Sequence, residues 1–308
     1  MSQIQVTKYS KELQKQLFPD NEFYKKSLSE SGLTVDAATF EIPNLTDIDE
    51  AEMGSPTSLP LQVGRSIDDK VTGTMQLIYA KPLVIEDEEE IVTNYNKRLS
   101  KQMQQASAVN TKAADYAAFQ WLPSATGDIV SSTGSARATG VTGLTSTRKA
   151  LTKADVLKAK QMLMKSNALN VPGELFALVT PDAYNDLLSI AEFVDYDKTG
   201  NTSKLEQGVL GKILGFNIMV RSKGGHIGAL YSAANAKLTK VVTAATDRPV
   251  NLFWHSGMVC HAESGAKAYI KTDDPSYLGT LISAKVRFGA EICRKDEKGV
   301  VAIAEVAS

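Results

Sequence analysis

Residues 86–113 leave this chain little freedom. Glu86-Asp87-Glu88-Glu89-Glu90 sets five acids in a row, where they favour the positive end of a helix dipole. Behind them come Val92, Tyr95, Leu99, Met103, Ala106, Val109 and Ala113, at steps of 3, 4, 4, 3, 3 and 4 residues. That spacing puts all seven side chains on one face, and Lys97, Arg98 and Lys101 fall off it. The pattern predicts a long amphipathic helix with one buried face, starting at Glu86 and ending before Pro123. A bound cation is the alternative reading of the acidic run, and a solvated helix start is the simpler one.

The flanking segments differ in character. Residues 1–35 read as an irregular arm with a short amphipathic piece (Leu13, Leu17, Phe18) stopped by Pro19. Within 36–85, Phe40-Glu41-Ile42-Pro43 is strand-like, and Ser55-Pro56 and Leu59-Pro60 punctuate. Two extended runs follow, 61–65 and 72–80, with Asp68-Asp69-Lys70 between them as a polar tip, so the pair is expected to form a hairpin. Few of its residues can build a core, so it must pack on something else.

Beyond the helix, residues 124–147 are rich in Ser, Thr, Gly and Ala and read as a linker or mobile loop. Thr152-Lys153-Ala154-Asp155 resembles a capping box for a helix through about Ser166. The run 175–179 is a short buried strand. Thr180 then caps a helix with Pro181 at its first position, and Tyr184, Leu187, Leu188 and Ala191 form its apolar face. A strand at 218–220 follows, and 250–304 alternates strands with turns, one of them at Asp273-Asp274-Pro275. The class is α+β.

Composition narrows the function. With 43% hydrophobic and 22% charged residues in 308, the chain can bury a core and is not of the disordered type. No apolar run approaches the roughly 20 residues of a membrane helix. The first ten residues lack a signal-peptide layout, so cytoplasmic synthesis is the default expectation. Two cysteines, Cys260 and Cys293, imply no disulfide framework. Thirty-four basic against 35 acidic residues give a net charge of −1, whereas a dedicated phosphate binder shows a basic excess.

The motifs that carry chemistry are incomplete. His261-Ala262-Glu263 has the H-x-E of zinc deaminases without the P-C-x-x-C that completes the metal shell, which leaves a strand-borne histidine. His226 and His255 have no partner at metal-ligand spacing. The glycine-rich stretches 208–213 and 224–228 have the wrong spacing for phosphate loops and read as turns. No catalytic, cofactor-binding or metal-binding residue is therefore expected, nor an enzyme.

Several stretches carry a family resemblance through their order. Glu41-Ile42-Pro43, Leu59-Pro60 and Tyr79-Ala80-Lys81-Pro82 precede the long helix; 150–155 and 178–184 form a helix–strand–helix run; Gly211-Lys212-Ile213-Leu214-Gly215-Phe216-Asn217-Ile218 enters a strand; and 283–290 with 300–303 close the chain. In this order they resemble the major capsid proteins of tailed bacteriophages, which have the HK97-like coat fold. The resemblance implies an N-terminal arm (1–35), an E-loop (36–85), a P-domain with its spine helix (86–135), an A-domain (136–257), P-domain return strands with the P-loop (258–290) and a closing A-domain strand (291–308). It implies a subunit that forms hexamers and pentamers of an icosahedral shell in the virion, assembled in the host cytoplasm around double-stranded DNA bound without sequence specificity. A separate scaffolding protein and a portal protein are the expected partners, with a decoration protein as an optional addition and no membrane. Arg65, Asp68, Asp69 and Lys70 on the hairpin, and Asp273 and Asp274 in the P-loop, are the expected inter-subunit contacts.

Some members of this family join a lysine of the E-loop to an asparagine of a neighbour's P-domain by an isopeptide bond. Lys70 and Lys81 are available here, but Asn251 is the last asparagine of the chain, so no such bond is expected. An encapsulin-like nanocompartment shell shares the fold and remains an alternative. A tail-tube protein is a second, and the long helix argues against it.

Overall fold

The computed structural model describes residues 21–31, 38–44, 53, 69–86, 97–190 and 211–308. Three α-helices lie within them: α1 Lys97–Gln120, α2 Lys153–Lys165 and α3 Pro181–Leu188. The strands before α1 are β1 Leu28–Ser29, β2 Thr39–Asn44, β3 Asp69–Thr74, β4 Gln76–Tyr79 and β5 Leu83–Glu86. Between the helices run β6 Ile129–Ser131, β7 Ala136–Arg137, β8 Arg148–Lys149 and β9 Leu175–Val179. After α3 come β10 Lys212–Ile213, β11 Phe216–Val220, β12 Leu230–Tyr231, β13 Lys237–Leu238, β14 Arg248–His255, β15 Val259–Asp274, β16 Gly279–Ile292 and β17 Val300–Ala304.

A central mixed sheet has the order β10-β11-β9-β14-β12-β13, with β17 pairing β14 and β6. Its inner strands are buried on both faces, which is why β9 and β17 read as unbroken apolar runs rather than alternating ones. One face, with Ala177, Val179, Phe253, Val301 and Ile303, packs under Val156, Ala159 and Leu163 of α2 and Ala183 and Leu187 of α3. The opposite face, with Phe176, Leu178, Leu252, Trp254 and Ala302, packs against Ala113, Ala117, Ala118 and Trp121 at the end of α1. Alanines there bring the helix backbone close to the sheet, and Trp121 Nε1 donates to the Cys260 carbonyl at 3.1 Å.

Both expected caps are present. Thr152 and Asp155 exchange the reciprocal bonds of a capping box. The Thr180 hydroxyl accepts from the Ala183 N–H at 3.2 Å, with Pro181 opening the helix.

The second sheet runs β1-β15-β16-β4, with β5 also pairing β16. Its spine is the long antiparallel hairpin of β15 and β16, whose turn is Pro275 to Leu278 rather than Asp273-Asp274-Pro275, because Asp274 still pairs with Gly279.

Four further expectations are corrected. Glu86 ends β5 instead of starting a helix, because Leu83-Val84-Ile85 pairs with β16; residues 87–96 lie outside the described ones. The helix ends at Gln120, before Pro123 as expected, but its buried face differs: Val109 and Ala113 are buried, and Met103 and Ala106 are exposed. Gln105 takes the buried place, its Nε2 donating to the carbonyls of Lys81 (3.0 Å) and Ile282 (2.9 Å). Residues 124–147 are not a linker: β6 joins the central sheet, β7 pairs with β8, and Val130, Ser132 and Val141 are buried. The place of the polar tip also differs. β3 pairs with β2, Thr39 opposite Thr74 through Asn44 opposite Asp69, whereas β4 pairs with β16, and the run 61–65 lies outside the described residues. Asp69 and Lys70 are thus strand residues, not a tip.

Of the arm, 21–31 are described. Phe23 and Tyr24 are buried in the chain's own core, edge-on to Trp121 and Phe288 respectively.

Candidate assembly surfaces

The ribbon of β2 and β3 is anchored chiefly through one aromatic side chain, and Asp69 and Thr74 tie it further to Lys295 and Tyr116. Phe40 is buried with Met75, Cys260 and Ala262 in a small cluster of its own. Its ring crosses two glycines: a Cβ at Gly73 would run into it, and one at Gly289 would come within 2.7 Å. Glycine at both places is what lets the ribbon lie on β16.

Among the described residues, two ion pairs involve the ribbon, one within it and one to Lys295 beyond β16. Lys70 Nζ lies 2.6 Å from Glu41 Oε1 on the facing strand. Asp69 pairs with Lys295 and accepts from the Lys70 N–H at 2.8 Å. The Lys295 contact first, and the backbone bond second, hold the Asp69 carboxyl below its ordinary value. Arg65 and Asp68 lie outside the described residues, so the ribbon candidates can be placed only as far as Asp69 and Lys70. Asp273 and Asp274 end β15, at the far end of the other sheet, and their side chains lie outside those described.

What the sequence reading missed is the far half of that sheet. Across β4, β16 and β15, Tyr79, Lys285 and Lys267 stand in one row, with Leu77 and Arg287 in the next. In the direction of the turn follow Tyr269 beside Ser283, then Val84, Leu281 and Lys271. Tyr79 is 68% exposed, and the turn residues Tyr277 and Leu278 are 55% and 76% exposed. Lys285 Nζ sits 5.1 Å above the Tyr269 ring. The signal was available: from 281 to 288 alternate residues are apolar on the even positions, so the odd ones must face away from α1.

The central sheet is finished differently. Arg137 Nε donates to Asp186 at 2.9 Å and its Nη2 to Glu305 Oε2 at 2.9 Å, with Asp182 at 3.4 Å. Glu305 Oε1 accepts from Asn251 Nδ2 (3.0 Å) and Thr180 Oγ1 (3.1 Å). Asp182 and Asp186 also accept from the N–H groups of Gly140 (2.6 Å) and Leu151 (2.9 Å), which clamps the 133–151 segment to α3. Burial raises the Glu305 carboxyl above its ordinary value against the pull of Arg137. Burial works against the Arg137 charge as well, and Glu305, Asp186 and Asp182 more than make up for it.

The three histidines sit in the structure of the fold. His261 is strand-borne, with Nδ1 2.8 Å from Ser27 Oγ. His255 Nδ1 accepts from the Gly257 N–H, and His226 Nδ1 from the Gly228 N–H. Among the described residues no group of three or more His, Cys, Asp or Glu is placed to hold a metal ion.

Comparison with known proteins follows the same outline. The family profile described as "Phage capsid protein" matches residues 107–306. No curated protein matches in sequence. Among solved structures, the capsid of the cyanophage P-SCSP1u is similar at a TM-score of 0.70 and 14% identity, covering 99% of this chain and 94% of that one. The acid-stable capsid of the Helicobacter pylori bacteriophage KHP30 gives 0.68 and 10% identity over 97% and 95% of the two chains. A chain of Mycobacterium phage Che8 gives 0.66 and 15% identity over 98% of both.

Proposed function

The chain belongs to the phage capsid protein family, and from that premise we propose how its surfaces divide the work of building a shell. It is a major coat protein of an icosahedral shell, with the α+β fold of phage capsid chains. Residues 36–85 act as the E-loop, 86–135 and 258–290 as the P-domain, and 136–257 with 291–308 as the A-domain. The observation that supports this division is the contrast between a central sheet covered on both faces and a far sheet that leaves Tyr79, Tyr269, Tyr277 and Leu278 uncovered, although β6 at 129–131 lies with the central sheet and so on the A-domain side of the division. Apolar surface of that kind is stabilised by a neighbouring subunit.

Hexamers and pentamers bury this surface, with the hairpin turn 275–278 and the ribbon reaching adjacent copies. The contact residues on the two are Asp69 and Lys70, and Asp273 and Asp274, with Arg65 and Asp68 beyond the described part of the ribbon. A separate scaffolding protein and a portal protein guide closure in the host cytoplasm, double-stranded DNA fills the shell, and a decoration protein can add to its outer side. The chain takes part as a structural element and not as a catalyst.

Electron microscopy of particles built from this chain tests the reading. DNA-filled icosahedral shells with a portal are expected. Small uniform cages holding protein cargo, or tubes, would overturn it. Detergent gels of the same particles should release a single monomer band, since no asparagine follows Asn251 to accept Lys70 or Lys81; covalent ladders that survive reduction would refute the non-crosslinked shell.

A further inference from the structure

A cleft of about 670 Å³ opens between α1 and the loops at 223–228 and 239–240. Its rim carries three lysines: Lys112 on α1, Lys223, and Lys240. The carboxylate that lines it, Asp115, is already shared by Arg221 at 2.8 Å and by Lys223. Lys112 and Lys240 are exposed and form no ion pair among the described residues. A local positive excess therefore faces solvent on a chain whose net charge is only −1.

The walls have a second character. The half-buried rings of Tyr116 and Phe119, one helical turn apart, line the same cleft. The Tyr116 hydroxyl is turned towards β3, where it meets Thr74, which leaves the ring rather than the hydroxyl to the opening. Because His226 Nδ1 accepts from the Gly228 N–H at 3.0 Å, a neutral ring carries its proton on Nε2, one more donor at the wall. Ammonium groups act as point charges towards phosphate, and an aromatic face beside them suits a flat base. An acidic peptide would use the lysines but has no ring to set against Tyr116 and Phe119.

We propose that this cleft binds a nucleotide unit, its phosphate between Lys112, Lys223 and Lys240 and its base or sugar against Tyr116 and Phe119. Such a unit comes from a phosphodiester strand or from free nucleotide. The coat-protein reading supplies a sugar–phosphate backbone in the packaged duplex, whose paired bases leave only the sugar to rest on the rings, and the binding chemistry does not depend on it. A site confined to one cleft gives the wall a few salt-sensitive contacts without a basic surface that would trap the genome.

Fluorescence anisotropy of the purified full chain with a labelled single-stranded oligonucleotide, a duplex and free ATP, over a range of salt, tests this. The Lys112→Gln/Lys240→Gln double variant should keep its melting temperature and lose affinity on the order of tenfold or more, with the salt slope falling by about two. The charge-matched control, Lys158→Gln/Lys165→Gln on the exposed face of α2, should bind as the parent does. Displacement of the strand by ATP at comparable nucleotide concentration would assign the site to free nucleotide, and failure of ATP to displace it would assign the site to a strand. Equal losses in both double variants, or no loss in either, would overturn the proposal. So would binding of a peptide of residues 86–93 where no nucleotide binds, which would make a second copy of the chain the occupant. Micrographs of shells from the same variants separate the two ideas: unaltered shells with unaltered binding refute the cleft alone.

Discussion

The central sheet and the far half of the second sheet both lean on α1, yet they end in opposite conditions. The central sheet is closed. α2 and α3 cover one face, the end of α1 covers the other, and the buried Glu305 just past β17 is met by Arg137, Asn251 and Thr180. The far sheet is open. Its inner face gains cover from α1, and its outer face shows tyrosines, leucine and lysines to solvent. The comparison shows where the chain keeps its folding free energy and which surface it leaves uncovered. Stability and assembly should therefore be separable by substitution.

The strongest test removes Trp121, fully buried where α1 meets both sheets. Trp121→Ala should cost about 3–5 kcal/mol and shift the urea midpoint accordingly, or leave the chain insoluble. A small change would mean that the two sheets are not joined through that residue. Next comes Arg137→Met, which leaves Glu305 buried beside Asp182 and Asp186 without their cation. A loss of about 3 kcal/mol is expected by the same measurement, the low end of the range for a broken buried pair because Arg137 keeps some contact with solvent.

A smaller effect concerns pH. The folded state raises the Glu305 carboxyl above its ordinary value, so the folded chain holds that proton more tightly than the unfolded chain does. Its contribution to stability must then fall as pH rises from the ordinary carboxylate value through the raised one. Glu305→Gln should flatten that part of the stability–pH curve measured by thermal melting. An unchanged slope would place the titration elsewhere.

The smallest expected effect on folding is at the turn. Tyr277→Ser/Leu278→Ser should leave the stability of the free subunit, read by thermal melting, within about 0.5 kcal/mol of the parent, as surface substitutions do. The same variant should fail to build regular shells in electron micrographs. Regular shells would show that the exposed turn is not an assembly contact, and a large stability loss would show that the far sheet supports the fold after all.

Local order was readable in the sequence to the extent that neighbours in the chain decide it. The capping box at Thr152–Asp155, the Thr180-Pro181 helix start and the doubly buried run 175–179 depend on bonds and periodicities spanning a few residues, and each is present. So did the α+β class and the existence of a long helix before Pro123. The family resemblance rested on the order of these elements, which does not require knowing how they pack.

Only the tertiary structure could decide the rest, because its partners lie far apart in sequence. Asp69 meets Lys295 across 226 residues and Arg137 meets Glu305 across 168, and no local pattern announces either pair. The face that α1 buries was misread at Met103 and Ala106 because hydrophobicity alone cannot anticipate Gln105 bridging Lys81 and Ile282. The glycine- and serine-rich stretch after α1 reads as loose by composition. It is fixed by Asp182 and Asp186, whose carboxylates accept backbone N–H groups that the stretch itself cannot satisfy. The ribbon's partner was likewise settled at a distance, where Phe40 finds Gly73 and Gly289 and draws β2 onto β3. Sequence determines what each segment can become by itself; which segments meet depends on the burial they achieve together, and that exists only in the folded chain.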